Sequence, residues 1–289
     1  MSNPSSFTER MIPGSAGRLY TRDYPGEGPP FVLMHGFPDH LGIYDQLVPE
    51  LTAAGRRVVT FDFLGFGKSD RPDGAQYTFE GQLQDLAAVV TALGVSTCVP
   101  VAHDSSGPAG INYALAFPEK VASLVILNSG YDDDFPVLWP EMVTLFATPG
   151  LAALASAIAN DPAQFGWLLN WQQDEFMAAQ PIEQRNAFKS SVGQLIADNF
   201  MKQPSGGPAF VQLASHFLAE LHRNTQHLPE LKRFDFPVKV IWGDFDPYMT
   251  TSVGRNRASH FKNAKLSPLP GGHWLQADIP DLVAKEMLS

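Results

Sequence analysis

The stretch VAHDSSGPAG, residues 101–110, sets three candidate nucleophiles side by side: Asp104, Ser105 and Ser106. It follows an apolar run and leads into helical periodicity, so it reads as a turn between a strand and a helix. A very tight turn of this kind strains its central residue. Only small neighbours then fit two positions before it and two or three after it. Asp104 has Ala102, Ser106 and Gly107 at those places. Ser105 would have His103 two positions back, and Ser106 would have Asp104 behind it and Pro108 ahead. The register selects Asp104. A serine nucleophile would mean acyl transfer, whereas an aspartate means displacement at an alkyl carbon. The plainer alternative for Asp104 is a helix cap.

Outward from the turn, short apolar runs alternate with helical periodicity. PPFVLMHG (29–36), RRVVTFDF (56–63), TCVPVA (97–102) and VASLVILN (121–128) read as strands. Helical stretches lie around 42–54, at 79–94 up to Gly94, and from about 107 to 117 before Pro118. Strands separated by helices imply βαβ units and a mostly parallel sheet. From 132 to 230 the pattern turns helical, as in LAALASAIAN and FVQLASHFLAELH, with Asp-Pro, Gln-Pro and PSGGP breaks. Strand pattern returns at FPVKVIWGDFDP (236–247) and AKLSPLPGGHW (264–274). The expectation is an α/β core of residues 1–131 and 231–289, with a helical cap of 132–230 set over the carboxyl ends of the strands, where open α/β sheets bind ligands.

Composition excludes several classes. A net charge of −10 with Lys and Arg scattered singly argues against nucleic acid or an anionic membrane as partner. Cys98 is the only cysteine, which rules out an intrachain disulfide and a cysteine-based metal site. The N-terminal MSNPSSFTER has no apolar signal core, and no run approaches about 18 apolar residues. The chain is expected to be a cytoplasmic monomer or homodimer.

Six segments in order, HGFPDH (35–40), DFLGFGKSDRP (62–72), AHDSSG (102–107), FPEKVASLVILN (117–128), WGDFDP (242–247) and PGGHW (270–274), resemble the α/β-hydrolase superfamily, and specifically its aspartate-nucleophile branch of epoxide hydrolases and haloalkane dehalogenases. The resemblance implies an α/β-hydrolase fold and a small apolar organic substrate, with neither metal nor cofactor. It carries the nucleophile onto Asp104, the acid onto Asp246 and the catalytic histidine onto His273, with an oxyanion hole from the backbone N–H groups of Phe37 and Ser105. Asp244 competes with Asp246 for the acid, and Asp132, Asp133 and Asp134 read as a solvated acidic turn. In the chemistry so implied, Asp104 attacks a saturated carbon, and His273, oriented by Asp246, activates water against the resulting ester.

The leaving-group partners depart from the family pattern. Epoxide hydrolases use two cap tyrosines, and residues 132–230 contain none. Dehalogenases place tryptophan after the nucleophile or asparagine after His-Gly, where this chain has Ser105 and Phe37. The arginines of haloacetate dehalogenases are missing after the elbow. Candidate substitutes are Trp167 and Trp171, one helical turn apart, with His35, Trp139, His216 and His222 as further possibilities; the plain reading of the tryptophans is packing. The expectation is an epoxide hydrolase, with a carbon–halogen hydrolase next, then a serine esterase or lactonase using Ser105, then a non-catalytic binding homologue.

Overall fold

The computed structural model describes residues 6–201 and 203–289; the first half of the N-terminal stretch read above lies outside them. Eight strands, β1 (Thr8–Pro13), β2 (Arg18–Tyr24), β3 (Glu27–Met34), β4 (Arg56–Phe61), β5 (Val99–Asp104), β6 (Leu124–Ser129), β7 (Val238–Gly243) and β8 (Ala264–Leu269), form one sheet. Its order is β1-β2-β4-β3-β5-β6-β7-β8. β2 runs antiparallel to β1 and β4, and every other pair is parallel. β3, β5, β6 and β7 are near-continuous apolar runs because helices cover both faces of a parallel sheet. β1 and β2 escaped the sequence pattern. β1 is the edge strand with one buried residue, and its exposed Glu9 and Arg10 both blur the periodicity and discourage edge pairing.

The core helices are α1 (Leu47–Ala53), α2 (Phe79–Ala92) and α3 (Gly107–Ala116). Between β6 and β7 come α4 (Glu141–Ala147), α5 (Ala152–Ala159), α6 (Pro162–Met177), α7 (Ile182–Ser190), α8 (Val192–Met201), α9 (Gly207–Thr225) and α10 (Leu228–Leu231). Among the described residues this insertion holds no strand. Then follow α11 (Thr251–Ser259), α12 (Leu275–Asp278) and α13 (Pro280–Leu288). α6 starts where the Asp-Pro break predicts: the Asp161 side chain accepts the Ala163 and Gln164 N–H groups, and Pro162 takes the first helical position. Phe210, Leu213, Phe217 and Leu221 of α9 repeat at helical spacing and bury one face. The apolar interior is one cluster reaching from the sheet into the insertion. No single helix among the described residues is long and apolar enough to cross a membrane.

Candidate active site

The carboxyl ends of β3, β5, β6, β7 and β8 all point one way, and the loops that leave them build the site. At the end of β5 the chain turns into α3 through Asp104, whose φ of +53° lies in the left-handed region. A non-glycine residue pays for that conformation, so the surroundings must enforce it. Ser106 Oγ donates to the His103 carbonyl and accepts the His103 N–H, each at 2.8 Å. Ser129 Oγ and Gly130 N–H both donate to the Asp104 carbonyl. Two glycines make the room. A Cβ on Gly36 would stand 2.3 Å from Asp104 Oδ2, and one on Gly107 would stand 2.1 Å from the Gly130 carbonyl.

The Asp104 carboxylate is held from two sides. Phe37 N–H donates to Oδ2 at 3.1 Å, and His273 Nε2 lies 3.5 Å from Oδ1. His273 Nδ1 meets Asp246 Oδ2 at 2.7 Å. Asp246 is buried, yet every direction is met: Oδ1 accepts the Tyr248 and Met249 N–H groups, and Oδ2 accepts Asn128 Nδ2. Burial opposes its charge, but His273 and these donors bring it below the ordinary carboxylate range. Burial likewise opposes a charged His273. Asp246 and Asp104 outweigh it and push the imidazole up to about 10. The ring is wedged by Phe176, Trp274 and His103 at centroid distances of 4.7, 4.8 and 4.9 Å.

Asp104 and His273 open into a small pocket of about 50 Å³, floored by Phe37 and Pro38. Its roof comes from the insertion: Pro140, Met142, Val143, Leu169, Phe176, Ile196 and Phe210, with Gln172 and Gln173. The space suits a compact apolar molecule.

A sequence model described as the α/β hydrolase fold matches residues 29–280. The chain belongs to the α/β hydrolase fold family. LipZ of Mycobacterium tuberculosis is 28% identical over 289 residues, 97% of this chain and 94% of LipZ. Haloalkane dehalogenase 2 of the same organism is 25% identical over 292 residues, 98% of this chain and 94% of the relative. Among solved structures, the epoxide hydrolase CorEH superposes with a TM-score of 0.74 at 19% identity, covering 98% of this chain and 97% of CorEH. That likeness is one of fold.

Within this α/β hydrolase, several sequence expectations need correction. Trp167 is 64% exposed and stacks on Trp171 on the outer side of α6; neither lines the pocket. The face of α6 turned inward carries Leu169, Gln172, Gln173 and Phe176 instead. His35 is fully buried, with Nδ1 against the Gly36 carbonyl and Nε2 accepting the Phe63 N–H, and burial drops its pKa to about 3. It braces the loop after β3 from behind. His216 is exposed, His222 pairs with Asp133, and Trp139 packs on Phe217. Asp132 is not part of a solvated turn: it is buried and ion-paired with Arg257 of α11. Asp134 and His260 lie beside it, but Arg257 already supplies the positive charge a cation would bring. Asp244 is exposed and bonds Thr251, away from His273.

Three residues near the centre carried no sequence signal. Asn128 ends a strand-like run. Asp39 sits inside HGFPDH, and His103 counted only as a bulky neighbour. In the fold Asp39 is buried and accepts the Trp274 indole N–H at 3.0 Å. Burial, then the Asp104 charge, pushes it up to about 7. His103 Nε2 contacts the His273 carbonyl at 2.9 Å, and burial lowers its pKa to about 4.

Proposed function

We propose that this chain is a hydrolase of small apolar alkyl electrophiles, working through an ester on Asp104, with alkyl halides as the class the pocket suits best and epoxides second. The observation that carries the reading is the placement of the Asp104 carboxylate between Phe37 N–H and His273 Nε2. The neighbouring hydroxyls are buried and engaged: Ser105 Oγ accepts Phe37 N–H, and Ser106 Oγ braces the turn. That weighs against a serine esterase. The complete Asp104, His273 and Asp246 arrangement weighs against a binding protein without turnover. A full-length relative named as a haloalkane dehalogenase favours carbon–halogen chemistry.

The chemistry orders the two electrophiles. An opening epoxide becomes an alkoxide and needs a proton on the side away from the attacking oxygen. No tyrosine, serine or threonine lines the pocket among the described residues. A halide leaves as a stable anion and needs only hydrogen-bond donors. In the first step an Asp104 oxygen forms a bond to carbon, and the carbon–halogen bond breaks with its electron pair on the halide. In the second, His273 takes a proton from water and the hydroxide adds to the Asp104 carbonyl carbon. The N–H groups of Phe37 and Ser105 are assigned to the oxyanion, and Phe37 N–H already donates to Asp104 Oδ2. The acyl–oxygen bond then breaks, giving the alcohol, the Asp104 carboxylate and one proton to solvent.

His273 is timed by the same charges. Before reaction two carboxylates hold its proton. Alkylation neutralises Asp104, leaving Asp246 alone, so the pKa falls and the imidazole becomes a base only once there is an ester to hydrolyse. The test is His273→Gln incubated with bromobutane, chlorobutane and an epoxide, followed by intact-protein mass and peptide mapping. The expected result is an alkyl adduct on Asp104 that accumulates, because water activation is lost and displacement is not. An adduct on Ser105, or none on any residue with a substrate the parent turns over, sinks the reading.

A further inference from the structure

Displacement at saturated carbon is in line, so the departing group lies across the carbon from Asp104. Asp104 of the β5 turn, with Phe37 and Pro38 of the loop after β3, forms the floor, and the far side is therefore the helical insertion. That insertion offers the pocket two side chains able to donate a hydrogen bond, Gln172 and Gln173 of α6. Gln172 is spent. Its Oε1 accepts the Met142 N–H at 2.8 Å, and its Nε2 donates to Tyr248 Oη at 2.7 Å and to Glu141 Oε2 at 3.2 Å. Gln173 hydrogen-bonds to no described residue, and its Nε2 is buried. It stands one turn before Phe176, whose ring packs on His273, and it lines the same pocket as Asp104 and His273. A half-turn of the amide exchanges its two ends and brings the N–H₂ to the place that Oε1 holds in this pocket-lining residue.

A donor left unpaired among apolar side chains is unfavourable, and a ligand atom that accepts from it recovers the loss. We infer that Gln173 is the donor that cradles the leaving group, an inference that rests on Asp104 acting by displacement. As the carbon–halogen bond breaks, the electron pair gathers on the halide and Gln173 N–H meets the growing charge. No proton is transferred. The interaction is stronger in the transition state than in the bound substrate, where the halogen carries little charge, so it lowers the barrier to alkylation. Hydrolysis of the ester, which happens on the opposite side, does not involve it.

The experiment measures the rate of Asp104 adduct formation by quenched intact-protein mass spectrometry in the His273→Gln chain, where only the first step is read. The variants Gln173→Met, which keeps the length and loses the donor, and Gln173→Glu, which replaces it with a charge that repels halide, are compared with the parent. With chlorobutane, Gln173→Met should slow alkylation by about 100-fold, the usual loss for one such donor, and Gln173→Glu should slow it more. The loss should be smaller with bromobutane, since bromide is the better leaving group and the weaker acceptor. Bromide added as product should protect the parent from alkylation and not the variants. Unchanged rates, or equal slowing with both halides as a packing defect would give, overturn the assignment of Gln173 and leave displacement standing. Absence of any adduct in the parent removes the displacement reading and Gln173 with it. Should one variant fail to fold, the other carries the test.

Discussion

Asn128 sits at φ +32°, in a region asparagine enters more readily than most residues. Its side chain donates to Asp246 Oδ2 at 2.8 Å and accepts the Gly243 N–H at 2.7 Å. One residue therefore ties the end of β6 to the end of β7 and aims the acid at His273. Asn128→Ala leaves a buried carboxylate short of a donor and a buried N–H without an acceptor, at about 1–3 kcal/mol for each. Urea titration should show that loss. Rapid-quench kinetics should show ester hydrolysis slowed more than alkylation, because Asp246 orients His273 and the nucleophile is on another strand. Equal slowing of both steps would mean that Asn128 acts on the fold rather than on the acid.

At the scale of elements, the insertion is fastened to the core by buried polar groups as well as by apolar packing. Asp132, just after β6, pairs with Arg257 of α11, and both are buried. Removing one member of such a pair leaves an uncompensated buried charge and costs about 3–5 kcal/mol, whereas replacing both with apolar residues is often neutral or better. Arg257→Met alone should therefore lower stability sharply, and Asp132→Leu with Arg257→Met should recover most of it in chemical denaturation. Strict additivity of the two single substitutions would show that the side chains do not interact. A second fastening links Glu141 of α4, Gln172 of α6 and Tyr248, two residues after the acid. Through it the roof of the pocket and the acid loop share a network.

For the whole molecule, the buried titratable groups set the response of stability to pH. Asp39 and Asp85 are pushed up to about 7 and Asp62 to about 6, all chiefly by burial. The folded state then keeps protons that the unfolded state gives up near 4, so these groups withdraw stability as pH rises from 4 to 7. His35 and His103, lowered to about 3 and 4, act oppositely: the unfolded state binds their protons up to about 6.5, so stability rises with pH until then. Three carboxyls against two histidines leave a net withdrawal of about one proton up to pH 6, and the two sets balance from there to 6.5. Above 6.5 His273 takes over, since its pKa is raised to about 10 in the fold; its contribution is complete below 6.5 and is lost through 10. Urea midpoints should fall gently from pH 4.5 to 6 and should continue to decline towards pH 9.5. In His273→Gln the decline above pH 7 should flatten. A wild-type midpoint that rises from pH 7 to 9 would contradict the coupling of His273 to its two carboxylates.

Much of this was legible in one dimension because its causes are local. Strands buried on both faces must be apolar throughout, and a strained turn admits only small neighbours, so the parallel sheet and the register of Asp104 could be read from short windows. The resemblance of WGDFDP and PGGHW to known motifs is what carried the acid onto Asp246 and the histidine onto His273, on successive loops of one sheet edge. What only the tertiary structure decided were choices between equivalent faces and partners. α6 carries Trp167, Leu168 and Trp171 on one side and Leu169 and Phe176 on the other, so its own pattern names no inner face; packing on His273 and Trp274 turned the tryptophans out and Gln173 in. Asn128, Asp39 and His103 belong to the site because three strand ends converge there, a distance that no spacing in the sequence records. Asp132 changed from a solvated residue to a buried one because Arg257, more than a hundred positions away, came to meet it.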